Sequence, residues 1–328
     1  MQRRLCIPVS AWALGLGCLM ASPVALADSD TLIVYPAYGD TRQIVLEGRV
    51  IEDHQAAAQK SDDGWWSNLR GNARMMKNDD RKNVDVRLQV GDLVVNTRTD
   101  SEGYFRKPVE HATELAPGWH RILGFTDAAS AEGELLIVPE ENTVGIISDL
   151  DDTLLVSEVN SKMRLLSNTF LKNPLQRLAV DGAARLIRSI AARNPHAALA
   201  PIIYLSASPR QLQDNILRFL RHNDFPAGVL LTKRVSNDSS SDPIMNQIAY
   251  KTKKIEDIFS RLPQVRFTLL GDDGEHDPEI YNQIRLRFPD RVEKVMIRRV
   301  NPDPARPAFA DQLDLTKAIL ALTDETKK

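Results

Sequence analysis

The chain has 328 residues, with 42 basic and 44 acidic side chains and a formal net charge of −2. That balance supplies no overall field for nucleic acid or acidic lipid, so no nucleic-acid partner is expected and any attraction to an anion has to be local. Cys6 and Cys18 both lie near the start, the histidines are scattered without metal-ligand spacing, and no G-x-S-x-G occurs. A disulfide framework, a cysteine–zinc centre, thiolate catalysis and a serine hydrolase of that type drop out.

Residues 1–27 read as a secretory signal peptide. MQRR gives a positive start, Ile7 to Met20 is mostly apolar, and Ala25-Leu26-Ala27 is a small-x-small cleavage site. The alternative, an uncleaved membrane anchor, needs a longer apolar run. Export to a bacterial periplasm is the expectation, and the mature chain is then free of cysteine.

Residues 28–140 read as a β-sandwich-like domain. "QIVLEGRVIED" and "VDVRLQVGDLVVNTRTDSEGYF" alternate apolar with polar residues between Gly and Asp turns, and "GWHRILGFTD" and "GELLIVPE" add strands. Lys60 to Asn83 interrupts the pattern with Trp65, Trp66, Leu69, Met75 and Met76. This is either a loop that packs its own aromatics or a peripheral membrane contact, with Arg70, Arg74 and Lys77 beside the indoles.

Residues 141–328 change character. "VGIIS", "PIIYL", "GVLL", "RFTLL" and "VEKVMI" are continuous apolar runs, separated by helical patterns near 181–193, 209–222, 246–262 and 278–288. Alternating buried strands and helices predict an α/β fold, a doubly wound parallel sheet covered on both faces. The tail spaces Phe309, Leu313, Ile319, Leu320 and Leu322 as one helical face, which predicts a helix docked on this domain. The length suits two domains.

Ligands of open parallel sheets bind beyond the carboxyl ends of the strands. Ser148-Asp149-Leu150-Asp151-Asp152-Thr153 follows the first strand, Ser206-Ala207-Ser208-Pro209 the second, and Gly271 through Asp277 the fourth; Lys251 lies near the start of the helix before that fourth strand. Singly, an acid after a strand is a turn or cap residue and a lone lysine is solvated. Jointly and in this order they define one polar rim.

D-x-D-x-T after a strand, then Ser, Lys and G-D-x-x-x-x-D, resembles the haloacid-dehalogenase superfamily of phosphotransferases. "SDLDDT", "YLSASPRQL", "NDFPAGVLL", "YKTKKIEDIF" and "TLLGDDGEHDPEIY" further resemble the catalytic domain of the actin-patch-protein type of phosphatidate phosphatase, a relative of the lipins, from about Val144 to Val300. The stretch with "GRVIED" and "TRTDSEGYF" is similar to the β-domain that precedes it in bacterial members. The resemblance implies a haloacid-dehalogenase-like sheet and a Mg²⁺-dependent phosphatase whose substrate is phosphatidate. It implies Asp149 as nucleophile and Asp151 as general acid and then base. It also implies Ser206, Lys251 and Thr153 at the phosphate, Thr153 fixing the turn. The metal carboxylates would be Asp149, Asp151, Asp272 and Asp277, with Asp273 competing for a place; Asp152 stands behind them or caps a helix.

The chemistry is consistent with that pattern. A phosphate monoester dianion repels nucleophiles, and a hard divalent ion held by carboxylates neutralises it. The same ion offsets the repulsion among crowded acids. Residues 154–200 hold no large cap domain, so the site is open. Leu165, Leu166, Phe170, Leu171 and Leu175, near Lys162, Arg164 and Lys172, form either an apolar, basic rim or ordinary core. Two rivals remain: an exported phosphatase for a soluble phosphomonoester or phosphoprotein, and a catalytically silent surface-binding module.

Overall fold

A computed structural model describes residues 29–53, 80–110, 115–156, 177–233, 247–307 and 309–325. The expected signal peptide, the Trp65–Trp66 segment and the Leu165–Leu175 rim lie outside the described residues.

The first eight strands are β1 (Ser29–Val34), β2 (Ala37–Gly39), β3 (Gln43–Asp53), β4 (Asp85–Val90), β5 (Leu93–Arg98), β6 (Tyr104–Glu110), β7 (Gly118–Phe125) and β8 (Ser130–Ile137). Period-two patterning sets their faces: Val86, Leu88 and Val90 are buried, while Asp85 and Arg87 point to solvent. The two separate layers expected of a sandwich are joined here by hydrogen bonds. The order is β1-β3-β2-β8-β7-β4-β5, with β6 on β3, and the short β2 pairs with both β3 and β8. The sheet folds back on itself because Gly124 and Gly133 leave room for β1. A Cβ at Gly124 would stand 2.7 Å from the Val34 side chain and 2.9 Å from that of Leu32, and one at Gly133 2.6 Å from Val34.

The second sheet comprises β9 (Val144–Ser148), β10 (Ile202–Pro209), β11 (Val229–Lys233), β12 (Arg266–Asp272), β13 (Val292–Arg298) and β14 (Gln312–Asp314). Its order is β11-β10-β9-β12-β13-β14, and every neighbouring pair is parallel. The chain therefore starts in the middle and winds outward in both directions, and the order reverses between β9 and β12.

Helices cover both faces. On one side α1 (Ala183–Ala191) and α2 (Gln213–His222) pack Ile187, Ile190, Ile216 and Phe219 against Ile146, Ile202 and Leu270. On the other, α3 (Gln247–Arg261) and α4 (Asp277–Arg287) pack Ile255, Ile258, Ile280 and Ile284 against Ile147, Ile203 and Leu269. The tail departs from the expected helical face. Gln312–Asp314 pairs with β13 as the edge strand, and the helix α5 (Leu315–Glu325) begins only afterwards. Leu315 and Ile319 are buried, whereas Leu313 and Leu320 are 47% and 58% exposed. The sheet edge offered unpaired backbone groups, and satisfying them overrode the helical spacing.

The two sheets share a core. Tyr38 and Leu136 of the first, with Val138 just after it, lie in the same buried cluster as Ile147 and Ile203 of the second and Tyr250 of α3. Trp119 Nε1 donates to Ala198 O at 3.3 Å across the seam.

Candidate active site

Strand pairing brings the polar rim together. Ser148 at the end of β9 lies beside Tyr204 of β10 and Leu270 of β12, so Asp149, Ser206 and Asp272 all emerge at the same carboxyl edge. The Asp149 N–H donates to Leu270 O at 2.9 Å, holding that residue in the sheet as the chain turns away. At Asp152 the backbone has φ 60, a left-handed conformation that Asp tolerates better than bulkier residues. The helix-cap role expected for Asp152 does not hold: residues 152–154 form a turn, and the Asp152 carbonyl accepts from Arg298 Nη1 at 2.6 Å.

On α3, Lys251 occupies the same buried stripe as Ile255, Ile258 and Phe259, and it is 1% exposed. A buried ammonium needs charged partners. Lys251 Nζ donates to Asp149 Oδ1 at 2.9 Å and to Asp277 Oδ1 at 2.5 Å, with Glu275 Oε2 at 3.9 Å. Asp277 opens α4, where Pro278 suits the first turn and the helix N-terminus favours negative charge. Gly271 makes that approach fit: a Cβ there would lie 2.6 Å from Asp277 Oδ2 and 2.7 Å from the Tyr281 ring.

Asp149, Asp272 and Asp277 offer carboxylate oxygens within 4.8 Å of one another, all three buried. Asp151, expected among the metal carboxylates, is not in that group. Asp273 is engaged elsewhere: its Oδ1 accepts the N–H groups of Val300 at 2.6 Å and Asn301 at 2.8 Å. Asp272 is fixed by the Gly274 N–H at 2.6 Å and by Thr153 Oγ1 at 3.4 Å. Thr153, expected at the phosphate and at the turn, bonds the neighbouring Asp272 carboxylate here. Ser206 is fully buried, and its Oγ accepts the Ser208 N–H at 3.0 Å.

Negative charge exceeds positive charge here. Burial raises the Asp149 pKa well above the carboxylate range; Lys251 opposes this, and Asp277, Asp272 and Asp151 add to it. Burial and Asp277 push Asp272 up to about 8. Burial opposes the charge of Lys251, but Asp149 and Asp277 outweigh it and the pKa rises. Asp149 Oδ2 and Asp277 Oδ2 are buried with no hydrogen-bond partner among the described residues. Orphaned buried acceptors and a deficit of positive charge fit a hard divalent cation held by Asp149, Asp272 and Asp277. Asp151 is half-buried; burial raises its pKa, and the buried Arg177 guanidinium opposes that rise.

Sequence reasoning missed several supports. Tyr250 and Tyr281 donate from their hydroxyls to Ser206 O and Leu270 O, each at 3.1 Å. Arg306 donates from Nη2 to Glu275 O at 2.6 Å and pairs through Nε with Glu279 at 2.8 Å, bracing the loop between β12 and α4. Arg177 faces Asp151 from a stretch that carried no motif. The only advance signal was the pair of tyrosines on otherwise apolar helix faces, which ask for a partner when buried.

Residues 144–299 match the family model of the phosphatidate phosphatase APP1 catalytic domain. Every residue of the buried carboxylate–lysine cluster falls inside that span. The chain is 28% identical over 155 residues to phosphatidate phosphatase APP1 of Saccharomyces cerevisiae, covering 47% of this chain and 26% of that protein. It is 28% identical over 166 residues to an uncharacterised protein of Schizosaccharomyces pombe, covering 51% of this chain and 27% of that one. The chain thus spans about a quarter of the length of the curated relatives it matches. Among solved structures, a chain of the Pnkp1/Rnl/Hen1 complex is 19% identical with a TM-score of 0.33, covering 49% of this chain and 47% of that one. That likeness is too slight to define a fold. The antiparallel sheet and α5 lie outside the matched residues.

Proposed function

We propose that this chain is a Mg²⁺-dependent phosphatase of the haloacid-dehalogenase type that hydrolyses phosphatidate to diacylglycerol through an aspartyl-phosphate on Asp149. The observation that carries the reading is the buried cluster in which Lys251 bonds both Asp149 and Asp277 while Asp272 completes a triad of carboxylates. Asp149, Asp272 and Asp277 would hold the cation, which when bound supplies Lewis-acid charge on the phosphoryl oxygens and orients the ester for in-line attack.

The chain's own residues do the rest. Lys251 bonds Asp149 and favours its ionised form against burial and the neighbouring carboxylates, a balance the bound cation would complete, and the lysine's charge meets the phosphoryl group as negative charge develops. An Asp149 oxygen attacks phosphorus and the ester bond breaks. Asp151, whose burial favours the protonated form, gives its proton to the leaving alkoxide. As a carboxylate it then takes a proton from the water that cleaves the acyl phosphate. Ser206 offers its hydroxyl to a phosphoryl oxygen. Export to a periplasm and contact with a bilayer through Trp65 and Trp66 complete the reading, supported by residues 1–27 and by the indole–arginine composition.

Turnover of an aryl phosphate with Mg²⁺, lost on chelation, tests the enzyme. Release of phosphate from phosphatidate vesicles, compared with soluble sugar phosphates, tests the substrate. Faster turnover of the soluble esters would replace the lipid reading with a soluble-substrate one.

A further inference from the structure

β10 does not end as a regular strand. Its pairing with β11 runs to Leu205↔Leu231 and resumes at Pro209↔Lys233, so β10 advances four residues while β11 advances two. Ser206, Ala207 and Ser208 are lifted out of the ladder as a bulge, a device that re-aims side chains beside functional sites. A bulge needs both ends held. The start is held from α3, where the Tyr250 hydroxyl donates to Ser206 O at 3.1 Å.

The exit is held from the other sheet. Arg210 follows Pro209 directly, and its side chain is 10% exposed. Its Nη2 donates to Glu47 Oε2 on β3 at 2.6 Å. The guanidinium lies 4.8 Å from the Tyr35 ring centroid and 5.9 Å from that of Tyr104, distances at which a cation is attracted to a ring face. Glu47 is itself anchored, since its cross-strand neighbour Arg106 donates Nε to Oε1 at 3.1 Å. Burial opposes the charge of Arg210, but Glu47 outweighs it and raises the pKa.

We propose that Arg210 is a positioning residue: through Glu47, the antiparallel sheet sets the Ser206–Ser208 bulge and thereby the affinity of the site for the phosphoryl group. The inference rests on the phosphatase reading above and adds a role for the sheet outside the matched residues. Among the described residues the pair makes no hydrogen bond to Asp149 or Asp151, so its loss acts on phosphate affinity more than on the chemical step.

The test is steady-state turnover of an aryl phosphate, with inhibition by inorganic phosphate and a thermal melt, on the full chain carrying Arg210→Met, Arg210→Lys, Glu47→Gln or Arg210→Met with Glu47→Gln. Loss of one charge-assisted pair should raise KM and weaken phosphate inhibition by about tenfold in Arg210→Met, with kcat within about threefold of wild type. Arg210→Lys should recover part of the loss, and the double variant should be no worse than Arg210→Met. A folded Arg210→Met protein with unchanged KM and phosphate inhibition overturns the inference. So does a loss of stability with no change in KM, or losses that simply add in the double variant. A wild-type chain that turns over no phosphate ester overturns the phosphatase reading itself, and this inference with it.

Discussion

At the scale of single residues, the site is a compromise between charges. Asp149, Asp272 and Asp277 crowd around one lysine, and two of their oxygens have no hydrogen-bond partner among the described residues. Without a cation, ionised Asp272 is repelled by Asp277 in a buried setting. Asp272→Asn removes that charge and keeps an oxygen for the Gly274 N–H, so in chelator the variant should be more stable than wild type by about 1 kcal/mol. Mg²⁺ should raise the melting temperature of wild type and leave that of Asp272→Asn unmoved. Thermal melts in chelator and in Mg²⁺ check both; a variant that melts lower in chelator speaks against the crowding. Asp151 makes a separate prediction. An aryl oxide leaves without help, whereas a lipid alkoxide needs a proton. Asp151→Asn should therefore slow the pre-steady-state burst on an alkyl phosphate more than on an aryl phosphate. Equal losses would remove Asp151 as the acid.

At the scale of elements, the junction of β12 and α4 decides where Asp277 points. Gly271 has no side chain because Asp277 and Tyr281 occupy that space. Gly271→Ala should cost about 1–3 kcal/mol by overpacking and should weaken Mg²⁺ binding, read by denaturant titration and by the Mg²⁺ dependence of turnover. Wild-type Mg²⁺ dependence in the variant would show that Asp277 has another way to settle. The five apolar runs of the parallel sheet were legible because strands buried on both faces carry an unbroken signal. Lys251 was legible as a member of a motif, and its place on the stripe with Ile255 and Phe259 shows physically why it is special. In the tail the docked helix was legible from Ile319 and its neighbours, but the edge strand before it was not, since a three-residue strand leaves no period to find. The bond from Thr153 to Asp272 was not legible, because it joins residues far apart in sequence and nothing local marks it.

At the scale of the whole molecule, the two sheets are coupled through Tyr38, Leu136 and Val138 and through the Glu47–Arg210 pair. Neither was visible in advance: the contact joins residues 163 positions apart, and nothing local marks it. It has a pH signature. Burial raises the Glu47 pKa, but Arg210, with Lys254 and Arg261, more than offsets this, and it falls from 4.5 to about 2. A carboxylate depressed in the folded state contributes its full stability above the unfolded pKa and loses it as pH falls through the folded one. Wild type should therefore lose about 1–2 kcal/mol more than Glu47→Gln as pH falls across that window. Urea titrations at stepped pH measure the difference, and parallel curves for the two proteins would contradict it.

The central claim is that phosphorus passes through a covalent bond to Asp149, and rapid acid quench followed by peptide mass spectrometry tests it most directly. The account predicts a phosphoryl adduct on the peptide carrying Asp149 during turnover with Mg²⁺, absent in chelator. Asp149→Asn should show neither adduct nor turnover, yet remain folded. Turnover by Asp149→Asn at the wild-type rate, or a phosphoryl adduct on another residue during productive turnover, would contradict it.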